Sequence, residues 1–240
     1  MQLPLISVIT VTYNAVKTVE NTLLSVLSQT FTDYEFIIVD GDSTDGTLEV
    51  LNKYRSHITH IVSEKDSGIY DAMNKAVALS AGNYIYFLGA DDILKDVNIF
   101  DLLKPDLLTG GYDLIAGAVI YNTGRRFQSA FSFKTLLNNT IHHQAAFYNK
   151  ALFLNFKYDT NFRFIADYEL NLRFYLNRSI YKYKISDEVI SICTEGGASR
   201  SELSQAYNET NGIRFKVLGK KATILKYLYS LKFYITKYVI

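Results

Sequence analysis

The sequence predicts an α/β fold with a mostly parallel central sheet flanked by helices. Four segments in the first half are almost continuously apolar, which is typical of strands buried on both faces of a parallel sheet. Three segments between them carry apolar residues at helical spacing, and this alternation is the pattern of a layered α/β domain. The 240-residue chain is 48% hydrophobic and contains only two prolines, which is the composition of a folded protein.

The elements of the first half follow one another closely. The predicted strands cover residues 6–11, 36–39, 58–62 and 84–88, and the predicted helices cover residues 18–29, 47–54 and 69–80. Ser43 and Thr44 are candidate N-caps for the second helix, because their side-chain oxygens can accept a hydrogen bond from a helix N–H group. Gly82 is expected to end the third helix in the left-handed geometry that glycine adopts readily.

The second half has a weaker pattern. Strands are predicted at 113–121 and 189–193, helices at 167–176 and 201–218, short mixed elements at 136–156, and a loop at 195–199. No clear linker divides this half. We therefore expect one domain over residues 1–215, with halves at 1–92 and 93–215, and a C-terminal helical tail at 216–240.

Two of the predicted strands run directly into carboxylates. Asp40, Asp42 and Asp45 follow the second strand, and Asp91 and Asp92 follow the fourth. In open α/β sheets, ligands bind at the carboxyl ends of the strands. Two acidic clusters at that edge need something to offset their repulsion, and a divalent cation with oxygen ligands, together with a phosphate, would do so. The pattern indicates a metal-bound, phosphate-bearing substrate.

Missing motifs and a single cysteine exclude several kinds of site. There is no P-loop, and Gly41 and Gly46 do not form the G-x-G-x-x-G of a dinucleotide-binding fold. Asp42 and Asp45 would also repel a pyrophosphate at the start of the following helix. Cys193 is the only cysteine, which rules out an internal disulfide and a zinc site built from cysteines.

Charge is distributed unevenly along the chain. The net charge is +1, but residues 214–240 hold seven Lys or Arg and no acid, so the remainder carries −6. An acidic body argues against nucleic acid as the main substrate. The basic, aromatic-rich tail fits a helix lying on an anionic membrane, or alternatively a helix docked on the domain with solvated lysines. No signal-peptide pattern opens the sequence, so we expect a cytoplasmic protein, with peripheral membrane contact through the tail.

The first 92 residues contain four motifs in a defined order. They are SVITVTYN at 7–14, IVDGDSTDGT at 38–47, EKDSGIYDAMNK at 64–75 and GNYIYFLGADD at 82–92. Together they resemble the motifs of the inverting glycosyltransferases of family 2, which have the GT-A fold, and the last one is typical of members that build bacterial surface polysaccharides. The resemblance implies that residues 1–92 bind the nucleotide and residues 93–215 the acceptor.

The resemblance also implies a set of residues around a nucleotide-sugar donor. They are Thr12, Tyr13, Asn14, Asp40, Asp42, Asp66, Asp91 and Asp92. Thr12 and Tyr13 would line the nucleotide pocket, and Asp40 would accept a hydrogen bond from the base. Asp42 would lie close to the nucleoside, and Asp66 near the ribose or the sugar.

The implied cofactor is a divalent cation, Mn²⁺ or Mg²⁺. Asp91 matches the metal-binding acid of the family's D-x-D motif, whose first acid is replaced here by Gly89. In the family that first acid is credited with a contact to the ribose, and Asp92 would compensate for its absence. Both cations prefer oxygen ligands. Such a cation would stabilise the charge that develops on a departing nucleoside diphosphate.

The second half must supply a base for the acceptor hydroxyl. Asp167 matches the family's carboxylate at the start of a late helix, although a carboxylate there is also a common helix cap. Glu169 is the weaker candidate, since it points to another face of the helix. His143 and Gln144 match a His-Gln pair that would contact the acceptor or the diphosphate. A hydrogen-bonded structural histidine is the alternative for His143.

A late glycine loop is expected at residues 195–200. Gly197 and Arg200 lie in this stretch, which resembles the family's loop that closes over donor and metal. Arg200 would then meet phosphate. The alternative is a plain turn with Arg200 in solvent.

The predicted function is inverting, metal-dependent transfer of a sugar from a nucleotide sugar, most commonly a UDP sugar, to a glycan or lipid-linked acceptor. One alternative is a sugar-phosphate nucleotidyltransferase. It would need a Gly-rich, basic loop after the first strand, where this chain has Thr12-Tyr13-Asn14-Ala15. A second alternative is a non-catalytic binding subunit with the same fold. The presence of Asp40, Asp91 and Asp167 argues against it.

Overall fold

The computed structural model describes residues 3–109, 111–196, 202–224 and 227. Within these ranges the chain forms one mixed sheet of nine strands, flanked by helices. The strands are β1 (Ile6–Thr12), β2 (Tyr34–Asp40), β3 (His60–Ser63), β4 (Tyr84–Phe87), β5 (Ile93–Leu94), β6 (Leu114–Tyr121), β7 (Arg126–Gln128), β8 (Ala146–Asn149) and β9 (Tyr183–Cys193). The helices are α1 (Val19–Leu27), α2 (Thr47–Lys53), α3 (Ile69–Leu79), α4 (Ile99–Leu108), α5 (Asp167–Leu176) and α6 (Leu203–Leu218).

The sheet has the order β3-β2-β1-β4-β8-β6-β9-β5, with β7 paired to β6. The first four strands in this order are parallel, as the sequence predicts. Antiparallel pairing begins where β8 joins β4. Thr12 is the register partner of Asp40, so β1 and β2 end side by side. The parallel half of the sheet therefore presents the carboxyl ends of its strands at one edge.

Helices cover both faces of the sheet, and side chains alternate between the faces along each strand. In β2, Phe36 and Ile38 pack on the face covered by α1, α2 and α4. Ile37 and Val39 pack on the opposite face, which is covered by α3 and α5. Helix α6 does not reach the sheet core but packs on α5 through a smaller cluster around Ile213.

The predicted fold class is confirmed, and the elements of the first half end within two residues of their predicted positions. Two local predictions are wrong. The cap of α2 is Gly46, with φ of 103°, and the Thr47 N–H donates to Asp45 Oδ1 at 3.0 Å. The Ser43 hydroxyl instead donates to Asp40. Helix α3 ends at Ser80 in extended geometry. Gly82 instead permits a close approach, since a Cβ there would lie 2.6 Å from the backbone nitrogen of Ser7.

The second half differs more from the prediction. Helix α4 and strands β5 and β7 were not predicted, and β9 begins at Tyr183 rather than at 189. Helix α4 contains Pro105, a residue that sequence patterns associate with helix ends. Of the predicted tail, residues 225–226 and 228–240 lie outside the described part of the chain. In that described part, no helix is both long and apolar enough to span a membrane.

Candidate active site

Asp40, the last residue of β2, is completely buried and organises the loop that follows it. Its carboxylate accepts hydrogen bonds from the Ser43 N–H at 3.0 Å, from the Ser43 hydroxyl, and from the Ser63 hydroxyl at 2.8 Å. These donors offset the cost of burying the charge. A carboxylate has about four acceptor positions, and these three hydrogen bonds occupy most of them.

The loops after β1 and β2 are tied together and include two strained residues. Asn14 and Asp42 are non-glycine residues with positive φ, at 50° and 66°. The Asn14 side chain accepts a hydrogen bond from the Thr44 N–H, and the Asn14 N–H donates to the Ser43 hydroxyl. Backbone strain of this kind is concentrated at functional sites. Asp42 is exposed on this paired loop.

Asp66 extends the same surface from the chain that follows β3. A Cβ on Gly41 would lie 2.7 Å from Asp66 Oδ2 and 3.4 Å from the Tyr13 ring. The other oxygen of Asp66 accepts a hydrogen bond from the Gly68 N–H at 2.8 Å. The Tyr13 side chain is 66% exposed. Segments that follow β1, β2 and β3 therefore meet around Gly41, with an aromatic face and a carboxylate turned to one surface.

Asp91 and Asp92 follow β4 and differ in environment. Asp91 is exposed, whereas Asp92 is only 3% exposed. Asp92 Oδ1 accepts a hydrogen bond from the Thr194 N–H at 3.0 Å, and Oδ2 accepts one from Gln144 Nε2 at 2.9 Å. Burial and the neighbouring charge of Asp91 raise the pKa of Asp92 to about 6.

The two carboxylates converge above Gly89, and this arrangement fits a divalent cation. A Cβ at residue 89 would lie 2.5 Å from Asp92 Oδ2 and 3.2 Å from Asp91 Oδ1. These hard oxygen donors suit Mg²⁺ or Mn²⁺. Among the described residues, no group of three His, Cys, Asp or Glu side chains could hold a metal. Phosphate and water oxygens would therefore have to complete the coordination, as is usual for Mg²⁺.

Asp167, the first residue of α5, is 6% exposed and lies at the centre of a hydrogen-bond network. Its Oδ1 accepts from the Tyr70 hydroxyl at 2.9 Å. Its Oδ2 accepts from Asn139 Nδ2 at 2.6 Å and lies 3.5 Å from His143 Nδ1. The capping alternative is wrong, because Ala166 occupies the cap position and no side chain caps this helix.

The partners of Asp167 favour its ionised form. Burial alone would raise the pKa of Asp167, but the hydrogen bond and charge of His143, with the hydrogen bond from Tyr70, outweigh burial and lower it. Tyr70 stays protonated, because burial and the charge of Asp167 raise its pKa well above the usual value. Asp167 is therefore a carboxylate at neutral pH, as a general base must be.

One short 3-10 turn, His143–Ala145, connects the two acidic centres. His143 faces Asp167, and Gln144 binds Asp92. His142 has a different partner, the Tyr121 hydroxyl, which lies 3.1 Å from its Nε2. Burial and the charge of His143 lower the pKa of His142 to about 3, so this ring is neutral. The two histidines do not act as a pair.

Three of the predicted site residues lie elsewhere or outside the described chain. Glu169 is buried in ion pairs with Arg173 of the same helix and Lys216 of α6, each at 2.8 Å. These contacts join α5 to α6. Gly197 and Arg200 fall in residues 197–201, which the structure does not describe.

Several residues of this region were missed by sequence reasoning. Glu209 of α6, 7% exposed, accepts hydrogen bonds from the N–H groups of Arg163, Phe164 and Ile165, just before Asp167. Thr194 binds the turn of Asp91 and Asp92 twice, through its N–H and through its hydroxyl at 2.9 Å from the Asp91 carbonyl. Each contact joins segments distant in sequence. The motif at 64–75 contains Tyr70 and the His-Gln pair contains His143, but neither pattern predicted a contact with Asp167.

Comparison with known proteins identifies the family. Residues 7–176 match the model described as Glycosyl transferase family 2. A PGL/p-HBAD biosynthesis glycosyltransferase of Mycobacterium bovis is 33% identical over 216 residues, which cover 86% of this chain and 84% of that protein. The putative teichuronic acid biosynthesis glycosyltransferase TuaG of Bacillus subtilis is 45% identical over 97 residues, 38% of each chain.

Solved structures show the same fold. TarS of S. aureus in complex with UDP superimposes with a TM-score of 0.73 at 21% identity, covering 98% of this chain and 72% of TarS. The mannosyltransferase PcManGT of Pyrobaculum calidifontis, in complex with GDP-Man and Mn²⁺, gives 0.69 at 18% identity, covering 99% and 71%. The fold is thus that of the GT-A glycosyltransferases. The chain belongs to glycosyl transferase family 2 and is a glycosyltransferase.

Proposed function

We propose that the protein transfers a sugar, with inversion, from a nucleotide sugar to a hydroxyl of a glycan or lipid-linked acceptor in surface polysaccharide synthesis. One observation carries this proposal. The turn His143–Ala145 joins the carboxylate of Asp167 to that of Asp92, so a candidate base and a candidate diphosphate site lie on either side of one short element. The named roles of the mycobacterial and Bacillus relatives support the substrate class.

The donor is proposed to be a UDP sugar bound over the segments that follow β1, β2 and β3. Tyr13 offers an exposed aromatic face for the base, next to Asn14 and Thr12. The remaining acceptor position of Asp40 suits a base N–H group. Asp42 and Asp66 border the same surface and would meet the nucleoside and its ribose or sugar. UDP and UDP-GlcNAc complexes of TarS support this class of donor.

A divalent cation is proposed beside Asp91, whose exposed carboxylate is open to solvent. When bound, the cation would act as a Lewis acid on the diphosphate leaving group. The Mn²⁺ complex of PcManGT supports this cofactor. Asp92 keeps its carboxylate in place through Gln144 and Thr194.

Asp167 is proposed as the general base. Its carboxylate removes the proton of the acceptor hydroxyl while that oxygen attacks the anomeric carbon. The bond from this carbon to the diphosphate oxygen breaks on the opposite face, and the nucleoside diphosphate leaves with the bonding electrons. One displacement inverts the anomeric configuration. Base catalysis of this kind contributes about 10²–10⁴-fold to the rate.

The described start of the tail is compatible with contact at an anionic membrane. Ile224 and Tyr227 are 71% and 72% exposed and lie close in sequence to the exposed Lys220 and Lys221. Apolar and basic side chains side by side are typical of helices at membrane interfaces. Co-sedimentation of the full chain with anionic vesicles, and loss of it at high salt, would support peripheral contact.

The function is tested by incubating the purified protein with a panel of nucleotide sugars, Mn²⁺ or Mg²⁺, and a set of glycan and lipid-linked acceptors. We expect transfer from one UDP sugar and a product of inverted configuration by NMR. Asp167→Asn should abolish transfer, while Asp187→Asn, which changes an exposed carboxylate on β9, should leave it intact. Full activity of Asp167→Asn, or a product of retained configuration, would contradict the mechanism.

A further inference from the structure

Gly89 is the position where this chain departs from the D-x-D pattern, and its surroundings show what replaces the missing acid. A Cβ there would meet Asp92 Oδ2 at 2.5 Å, a distance that Cβ contacts do not tolerate. The space above Gly89 is thus already filled by a carboxylate that comes from three residues further along the chain. Asp91 Oδ1 borders the same space at 3.2 Å.

Asp92 is held in this position by two distant segments. Gln144, 52 residues away, binds Oδ2, and the N–H of Thr194, 102 residues away, binds Oδ1. Both partners are neutral. In the described ranges, no Lys or Arg forms an ion pair with Asp92. A buried carboxylate without a cationic partner is costly, and a cation bound between it and Asp91 would offset that cost.

We propose that Asp92 joins Asp91 as a cation-binding carboxylate, with its Oδ2 in the space that a side chain at residue 89 would occupy. Gln144 and Thr194 are positioning residues, since they aim Asp92 at the space above Gly89. This inference rests on the proposed function, because it assigns a residue to the cation of the same donor site.

The test measures Mn²⁺ affinity by titration calorimetry in the presence of UDP, without turnover. We expect Asp92→Ala to weaken Mn²⁺ binding about 10- to 100-fold, and Gln144→Ala to weaken it about 10-fold, as is typical for residues that orient a metal ligand. Asp187→Asn is the matched control and should bind Mn²⁺ as the wild type does.

A variant that moves the carboxylate from residue 92 to residue 89 distinguishes a role in cation binding from a structural one. Gly89→Asp alone should bind Mn²⁺ poorly, because its Cβ meets Asp92 Oδ2. The double variant Gly89→Asp/Asp92→Ala removes that clash and restores an acid above the same point, so its affinity should recover to within about 5-fold of wild type. A double variant no better than Asp92→Ala would overturn the inference, as would wild-type Mn²⁺ affinity in Asp92→Ala.

Asp92→Asn keeps the proposal testable if Asp92→Ala does not fold. It retains the shape of the side chain and removes the charge, and it should weaken Mn²⁺ binding comparably. Unchanged affinity in Asp92→Asn would count against the inference. If the wild type binds UDP and Mn²⁺ but these variants do not behave as stated, this inference alone fails. If the wild type binds no nucleotide at all, the proposed function fails and this inference with it.

Discussion

Removing the hydroxyl of Tyr70 should change the pH dependence of sugar transfer in a defined direction. In Tyr70→Phe, Asp167 Oδ1 loses the donor that now lies 2.9 Å away, inside a buried site. A hydrogen bond to a charged group contributes about 1.5–3 kcal/mol, and one pKa unit corresponds to about 1.4 kcal/mol. The pKa of Asp167 should therefore rise by about 1–2 units.

The sign follows from the role of base that is proposed for Asp167. Asp167 accepts a proton only when it is ionised, so kcat/KM falls as pH decreases through its pKa. A higher pKa moves this acidic limb to higher pH in Tyr70→Phe, while the rate at alkaline pH changes less. His142 does not contribute to the limb, because its pKa of about 3 keeps it neutral. Saturating Mn²⁺ is used throughout, so that Asp92 does not titrate with the base.

The assay is kcat/KM for nucleoside diphosphate release, measured with acceptor across the pH range in which the protein stays folded. Tyr158→Phe is the matched control. Its ring lies 5.3 Å from that of Tyr70, but its buried hydroxyl has no hydrogen-bond partner among the described residues. The control should keep the wild-type limb. A limb that stays in place in Tyr70→Phe would refute Asp167 as the titrating base.

Three further outcomes are expected. Glu209→Ala leaves three N–H groups before Asp167 without their acceptor, which should cost at least about 3 kcal/mol of unfolding free energy in urea titrations; a change below about 1 kcal/mol would contradict it. Asp92→Asn should stabilise the metal-free protein by about 3 kcal/mol at neutral pH, since folding raises the pKa of Asp92 from 3.8 to about 6. As pH rises between these two values, the wild type loses the stability that its protonated Asp92 has in acid. The stabilising effect of the substitution should therefore vanish in acid. Chelation should abolish transfer, and Mn²⁺ should restore it in the wild type but not in Asp91→Ala; transfer that persists with chelator would contradict metal dependence.

The first half of the fold was predictable because its signals are local. Its strands are buried on both faces. Each strand therefore appears in the sequence as a short apolar run, such as 36–39, whichever strands it pairs with. The four motifs cover the ends of these strands or the segments that directly follow them. Ser43 shows the limit of local reasoning, since its hydroxyl suits a helix cap but donates to Asp40 instead.

The second half was less predictable because its elements depend on distant contacts. Strands β5 and β7 have two and three residues and are defined by pairing with β9 and β6. The candidate site also depends on contacts between residues that are distant in sequence. Asp167 meets Tyr70 across 97 residues, and Gln144 meets Asp92 across 52, so no spacing in the sequence records either contact. The motifs singled out Asp92 and Asp167 as candidate carboxylates but did not predict which side chains contact them.

The turn His143–Ala145 gives these separate contacts a common consequence. The turn is attached to the sheet, because the Gln144 carbonyl accepts hydrogen bonds from the hydroxyls of Tyr86 in β4 and Ser191 in β9. Its first two side chains have different partners, since His143 lies near Asp167 and Gln144 donates to Asp92. A displacement of this turn would therefore move the proposed base and the proposed cation-binding carboxylate together. Transfer requires the attacking hydroxyl and the leaving diphosphate to be aligned on opposite faces of one carbon, and errors of about 1 Å can cost about 10²-fold in rate. A single turn that contacts both carboxylates would help to keep that alignment.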